Sequence, residues 1–129
     1  MGNRLGEVGY AIGTPVRRAG YGLLADHGGH GVGRAMHEDP FVANDGRPGH
    51  GYVLRPGLVI AIEPMLLGDG SDAYRIDPDG WAICTESGAR AAHAEHTVAI
   101  TEDGPLVLTA PWRPSLWRDG AMRRRRARL

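Results

Sequence analysis

The run Leu58-Val-Ile-Ala-Ile-Glu-Pro-Met65 constrains the fold more than any other segment, because it sets one carboxylate, Glu63, inside an apolar stretch of strand length. Such a run reads as a buried strand. A carboxylate inside it cannot stay unpaired, since its desolvation costs several kcal/mol. It requires a cation, a proton or an arginine, and Arg34 and Arg55 are candidates for a purely structural ion pair. A second carboxylate lies on residues 91–101, which alternate: His93, Glu95, Thr97 and Ala99 point one way, and Ala94, His96, Val98 and Ile100 the other. Taken singly, Glu95 fits a surface position on a half-exposed strand. Two carboxylates brought together from two strands need a shared positive partner.

The remaining pattern is that of an α+β domain with a strongly bent antiparallel sheet. Leu5, Val8, Ile12 and Val16 recur at spacings of three and four and predict a helix over residues 3–19, with Gly20 as its stop. Pro15 works against that helix by removing a backbone donor. Residues 21–25 form a short apolar strand candidate. Residues 40–57, rich in Pro, Asn, Asp and Gly, read as an exposed connection. Residues 73–76 and 81–85 form a hairpin around Asp77-Pro-Asp-Gly80. Asp103-Gly104 turns into a last strand at residues 106–109.

His30 and His37 frame a glycine-bearing turn, which raises a ligand or catalytic role for them; a satisfied structural histidine is the alternative. The glycines there imply that the backbone comes close to something. His27 and His50 read as surface loop residues, whereas His93 shares a strand face with Glu95.

The 129 residues have room for one domain. Twenty glycines and nine prolines stay below the roughly 25–30% at which composition alone argues disorder. The single cysteine, Cys84, leaves no internal disulfide and suits a reducing compartment. No signal-peptide segment or membrane-length apolar run is present, so the cytoplasm is the expected location. Zero net charge conceals a split, with eight Arg against fourteen acids in residues 1–110 and seven Arg against Asp119 alone beyond. Residues 1–110 are therefore read as the domain and 111–129 as a disordered, Arg-rich, dispensable tail, with binding to RNA as its functional alternative.

Four segments in one order carry a family signature: His30-Gly-Val-Gly-Arg-Ala-Met-His37-Glu-Asp-Pro40, Ile62-Glu-Pro-Met65, Asp79-Gly-Trp81 and Ala94-Glu-His-Thr97. Together they resemble the C-terminal half of a type I methionine aminopeptidase over roughly residues 3–109. The resemblance implies half of a pita-bread fold, a curved antiparallel sheet with a packed helix. It implies metal ligation by His30, Glu63 and Glu95, with Glu95 in the bridging position. It also implies contact of His37 with the scissile amide of the substrate, and a methionine pocket lined by Met36 and Trp81. His93 replaces a glutamine common in the family and offers an extra nitrogen near the metal. A prolidase-like member is the nearest alternative, but its last motif normally carries Arg-x-Glu-Asp.

The resemblance further implies a divalent metal, two per site in the family and drawn from Co, Mn, Fe or Zn. Both aspartate ligands of the family precede the part that this chain resembles, so at most one ion is expected here. The implied partner is the N-terminal methionine of peptides or nascent chains; a membrane or nucleic acid is not expected. Three functions stay open: an aminopeptidase, a non-catalytic half that needs a partner half, and a small metal-binding or interaction module. A half-domain would also leave an apolar patch for a partner or for self-association, with Leu23, Leu24, Met65 and Leu66 as its candidates.

Overall fold

The structure, a computed structural model, describes residues 2–24 and 26–111. The predicted tail, apart from Pro111, lies outside the described residues. The first element is α1 (Leu5–Arg18), close to the span that the periodicity predicts. Pro15 sits inside its last turn. The carbonyl deprived of a partner belongs to Ala11, on the solvent side, which is why the helix tolerates it. At the other end the Arg4 N–H donates to Glu7 Oε2 (2.9 Å), and Glu7 Oε1 accepts from Gly49 N–H (2.9 Å). These backbone donors hold the Glu7 carboxyl below its usual range, the Gly49 bond most of all.

Ten short strands follow: β1 (Gly22–Leu23), β2 (Gly29–Gly31), β3 (Glu38–Val42), β4 (Val59–Ile62), β5 (Met65–Leu67), β6 (Tyr74–Ile76), β7 (Ile83–Thr85), β8 (Ala91–His93), β9 (His96–Thr101) and β10 (Gly104–Val107). Five of them order as β10-β9-β4-β2-β3, three as β1-β5-β8, and β6 pairs with β7 alone as the predicted hairpin. All pairs are antiparallel. Helix and bent antiparallel sheet together give the expected α+β architecture.

Each of the two strands expected over residues 58–65 and 92–101 is one run broken in the middle. β4 pairs with β9 from Val59↔Ala99 to Ile62↔His96, and β5 pairs with β8 from Met65↔His93 to Leu67↔Ala91. The second ladder continues the register of the first. Glu63 therefore stands opposite Glu95, and Pro64 opposite Ala94, at the joint between the two sheets. Pro64 has no N–H to give to a ladder, and the contact that remains is a long one from Ala94 N–H to Pro64 O (3.4 Å).

The core lies under the five-stranded sheet. Leu5 from α1 packs with Val42, Ile60 and Val98, and Val8, Leu54, Leu58, Ile62 and Ile100 close around them. Full burial of side chains of this size stabilises by about 1.5–3 kcal/mol each. Two expectations need correction. Leu23 and Leu24 are 0% and 2% exposed and belong to the interior rather than to an open patch, because β1 is covered by α1 and β5; Met65 and Leu66 are half-buried. Residues 40–57 are not all exposed connection either: Val42 and Asn44 are buried, and Val53 bridges back to Arg4.

Candidate metal centre

Glu63 is placed by the break in its own strand. Its side chain is 14% exposed, and its backbone carbonyl accepts from Asn44 Nδ2 (3.3 Å). The same amide group donates to His27 O (3.0 Å). Asn44, 1% exposed, thus ties the His27 loop to the joint from beneath. Nothing in the sequence marked Asn44, since an Asn within a Pro- and Gly-rich stretch reads as loop. His27, expected at the surface, is half-buried with its ring edge-on to Tyr74 at 5.2 Å. Its Nδ1 and Asn44 Oδ1 are buried without a hydrogen-bond partner among the described residues.

Two imidazoles converge on the Glu63 carboxylate. His30 Nε2 lies 3.4 Å from Oε1 and His93 Nε2 lies 3.5 Å from Oε2. Among the described residues the side chains drawn to the Glu63 carboxylate are these histidines, and neither Arg34 nor Arg55 takes that place. His30 comes from β2, whose flanking glycines are explained by close packing of strands. A Cβ on Gly29 would fall 2.0 Å from Ala61 O, and one on Gly31 would fall 2.1 Å from Asp39 O. The close approach inferred from these glycines is therefore to neighbouring backbone.

The His30 tautomer follows from its other nitrogen. Nδ1 lies 2.8 Å from Gly31 O, a group that can only accept, so Nδ1 carries the proton. In the neutral ring Nε2 then turns a lone pair toward Glu63 Oε1. Two acceptors facing each other are held together only by a cation or proton between them. The 3.4 Å separation exceeds the about 2.7–2.9 Å of a charge-assisted hydrogen bond. It matches the edge of a tetrahedron of ligands about 2.1 Å from a central ion, which is about 3.4 Å.

Glu95 faces Glu63 across the joint and is exposed, so the pair is one interior and one open carboxylate. Donor atoms of Glu63, His93 and Glu95 all lie within 4.8 Å of one another. His30 is outside that mutual group, its Nε2 lying 3.4 Å from Glu63 Oε1. His37 is exposed, with its ring centroid 4.3 Å from that of His30. Met36 and Trp81 are 72% and 90% exposed. Neither lines the apolar cleft of about 200 Å³ beside the cluster, which is walled by Leu24, Met65, Leu67, Ile83, Ala92 and His93. A larger cavity of about 530 Å³, near Leu5, Phe41 and Tyr52, includes none of the clustered donors.

Known proteins share this sequence pattern and fold. The model of metallopeptidase family M24 matches residues 1–102. Methionine aminopeptidase 1 of Mycobacterium tuberculosis is 50% identical over 115 residues, which cover 84% of this chain and 43% of the relative. The methionine aminopeptidase of Aquifex aeolicus is 44% identical over 110 residues, 84% of this chain and 42% of the relative. Among solved structures, methionine aminopeptidase from Thermotoga maritima superposes with a TM-score of 0.80 at 47% identity, covering 84% of this chain and 43% of that one. Prolidase from Pyrococcus furiosus superposes less well, with a TM-score of 0.60 at 28% identity, covering 87% and 27%. The chain thus spans less than half the length of the relatives it matches.

Proposed function

The chain belongs to metallopeptidase family M24, and from that premise we propose that it supplies the histidine–carboxylate wall of a metal-dependent site that releases N-terminal methionine from peptides. The observation that carries this reading is the convergence on Glu63: His30 Nε2 lies 3.4 Å from its Oε1, and donor atoms of His93 and Glu95 lie within 4.8 Å of it. Neutral imidazole and carboxylate suit Zn, Mn, Fe or Co alike. In this reading His30, Glu63 and Glu95 hold one divalent ion. Such an ion, when bound, supplies an activated water and polarises the scissile carbonyl.

The other roles fall to this chain's own groups. The N–H of His37 donates to the oxygen of the scissile amide as negative charge develops there. Its ring centroid, 4.3 Å from that of His30, supports this role. Met36 and Trp81 offer exposed apolar surface to the methionine side chain. The names of the relatives support methionine as the substrate residue.

A second reading, a metal-binding module without turnover, is favoured by the exposure of His37, His93 and Glu95. Water reaches these groups freely, and the positioning that can supply roughly 7–11 kcal/mol in a closed site is then weak. The experiment titrates Mn and Co into the chain and assays a Met-Ala-x peptide, alone and with the remaining part of the Mycobacterium tuberculosis relative added as a separate fragment. One equivalent of metal should bind and depend on Glu63. Methionine release should require the added fragment and vanish in Glu63→Ala. Metal binding indifferent to Glu63→Ala would overturn the proposal, and release by the chain alone would remove the second reading.

A further inference from the structure

We infer that His93 is itself a metal ligand, a second imidazole on the ion that Glu63 and Glu95 hold. The inference rests on the metal-holding reading above and assigns one more residue to it. Three observations carry it. His93 Nε2 is 3.5 Å from Glu63 Oε2, and His30 Nε2 is 3.4 Å from Oε1. This is again the edge expected of two ligands about 2.1 Å from one ion. The donor atoms of Glu63, His93 and Glu95 lie mutually within 4.8 Å, whereas His30 is not part of that group.

The backbone holds His93 in this position. It is the last residue of β8, paired with Met65 in the ladder whose register continues through the Glu63–Glu95 joint. Two residues before Glu95, it projects from the same strand face. Its side chain is 46% exposed, so the ring can turn to seat an ion without disturbing the core. A second imidazole in the set changes what the site prefers. Carboxylates alone suit Mn and Mg, and a nitrogen donor tilts selection toward Zn and Co.

The test uses the full chain labelled with 15N and titrated with Zn and, separately, Mn. Proton–nitrogen correlation spectra report the imidazole nitrogens, and calorimetry reports affinity for wild type, His93→Gln, His30→Gln and Glu63→Ala. Glutamine keeps size and polarity but removes the ring nitrogen. With Zn, the Nε2 resonance of His93 should move to the metal-bound range. His93→Gln should weaken Zn binding beyond the roughly 10–100-fold typical of a residue that only orients a ligand. Mn binding should fall much less. If Zn binding depends on Glu63 while the His93 resonance stays put and His93→Gln binds Zn as wild type does, this inference fails and the proposed site survives. If Glu63→Ala also binds as wild type does, both fail together.

Discussion

The two sheets share one pair of chain runs and do different work. Between β9 and β4 the run gives Ile60 and Val98 to the core, where they pack with Val42 and with Leu5 of α1, so its strands are held by apolar packing. Between β8 and β5 the continuation is thin, and all three residues of β8 are exposed at the sheet edge. The donors sit at the joint, where Pro64 interrupts the ladder. Facing like charges are disfavoured in a strand pair, and Glu63 opposite Glu95 is such a pair. The contrast sets apolar packing on one side of the joint and the histidine and carboxylate donors on the joint itself.

Four substitutions test that division. The largest effect on folding is expected for Ile60→Ala, which empties the packed side; equilibrium denaturation should register a loss of about 2–5 kcal/mol. A loss below about 1 kcal/mol would mean that the core is not where burial places it. Asn44→Ala should cost about 1–3 kcal/mol, because it strips the partner from two carbonyls, His27 O and Glu63 O. It should also weaken metal binding, since the backbone of Glu63 loses its anchor; unchanged metal affinity would separate Asn44 from the site.

A smaller effect is expected at Asp72. Its carboxyl is held below the usual range by hydrogen bonds from Arg17, including Arg17 Nη2 to Oδ2 at 2.7 Å, and by the Leu23 N–H. A carboxylate whose pKa is lowered on folding contributes stability that is present above its unfolded pKa and lost as pH falls through the folded one. The contribution should thus be complete at neutral pH and disappear in acid, below the ordinary carboxylate range. The pair is 37% and 42% exposed, so Asp72→Asn should remove at most about 1 kcal/mol at pH 7. Stability of the variant should fall less steeply in acid; an acid limb identical to that of wild type would contradict this account of Asp72.

The smallest effect on folding is expected at the centre of the site. In metal-free protein Glu63→Ala should change stability by less than about 1 kcal/mol, since it removes a facing like charge along with its contacts to His30 and His93. Metal binding should nevertheless be lost. A large destabilisation of the metal-free protein would show that Glu63 is structural.

Much of this was legible in the sequence, for physical reasons. The helix announced itself through Leu5, Val8, Ile12 and Val16, and the β6–β7 hairpin through Asp77-Pro-Asp-Gly80. Glu63 stood out because a carboxylate in an apolar run demands a partner. The break in the strands was not read, although Pro64 was its signal, because a continuous apolar run conceals a change of sheet. Leu23 and Leu24 were misplaced since two leucines carry no information about which side of a strand is covered. Asn44 was invisible because its role is set by carbonyls brought to it from residues 27 and 63.

The central claim, that the joint between the two sheets is a metal site, is tested most directly by crystals of the chain grown with Zn and measured across the Zn absorption edge. The account predicts one anomalous peak about 2.0–2.2 Å from oxygens of Glu63 and Glu95, absent in Glu63→Ala crystals. A map with no peak at the joint, or with an arginine side chain paired to Glu63 in its place, would contradict it.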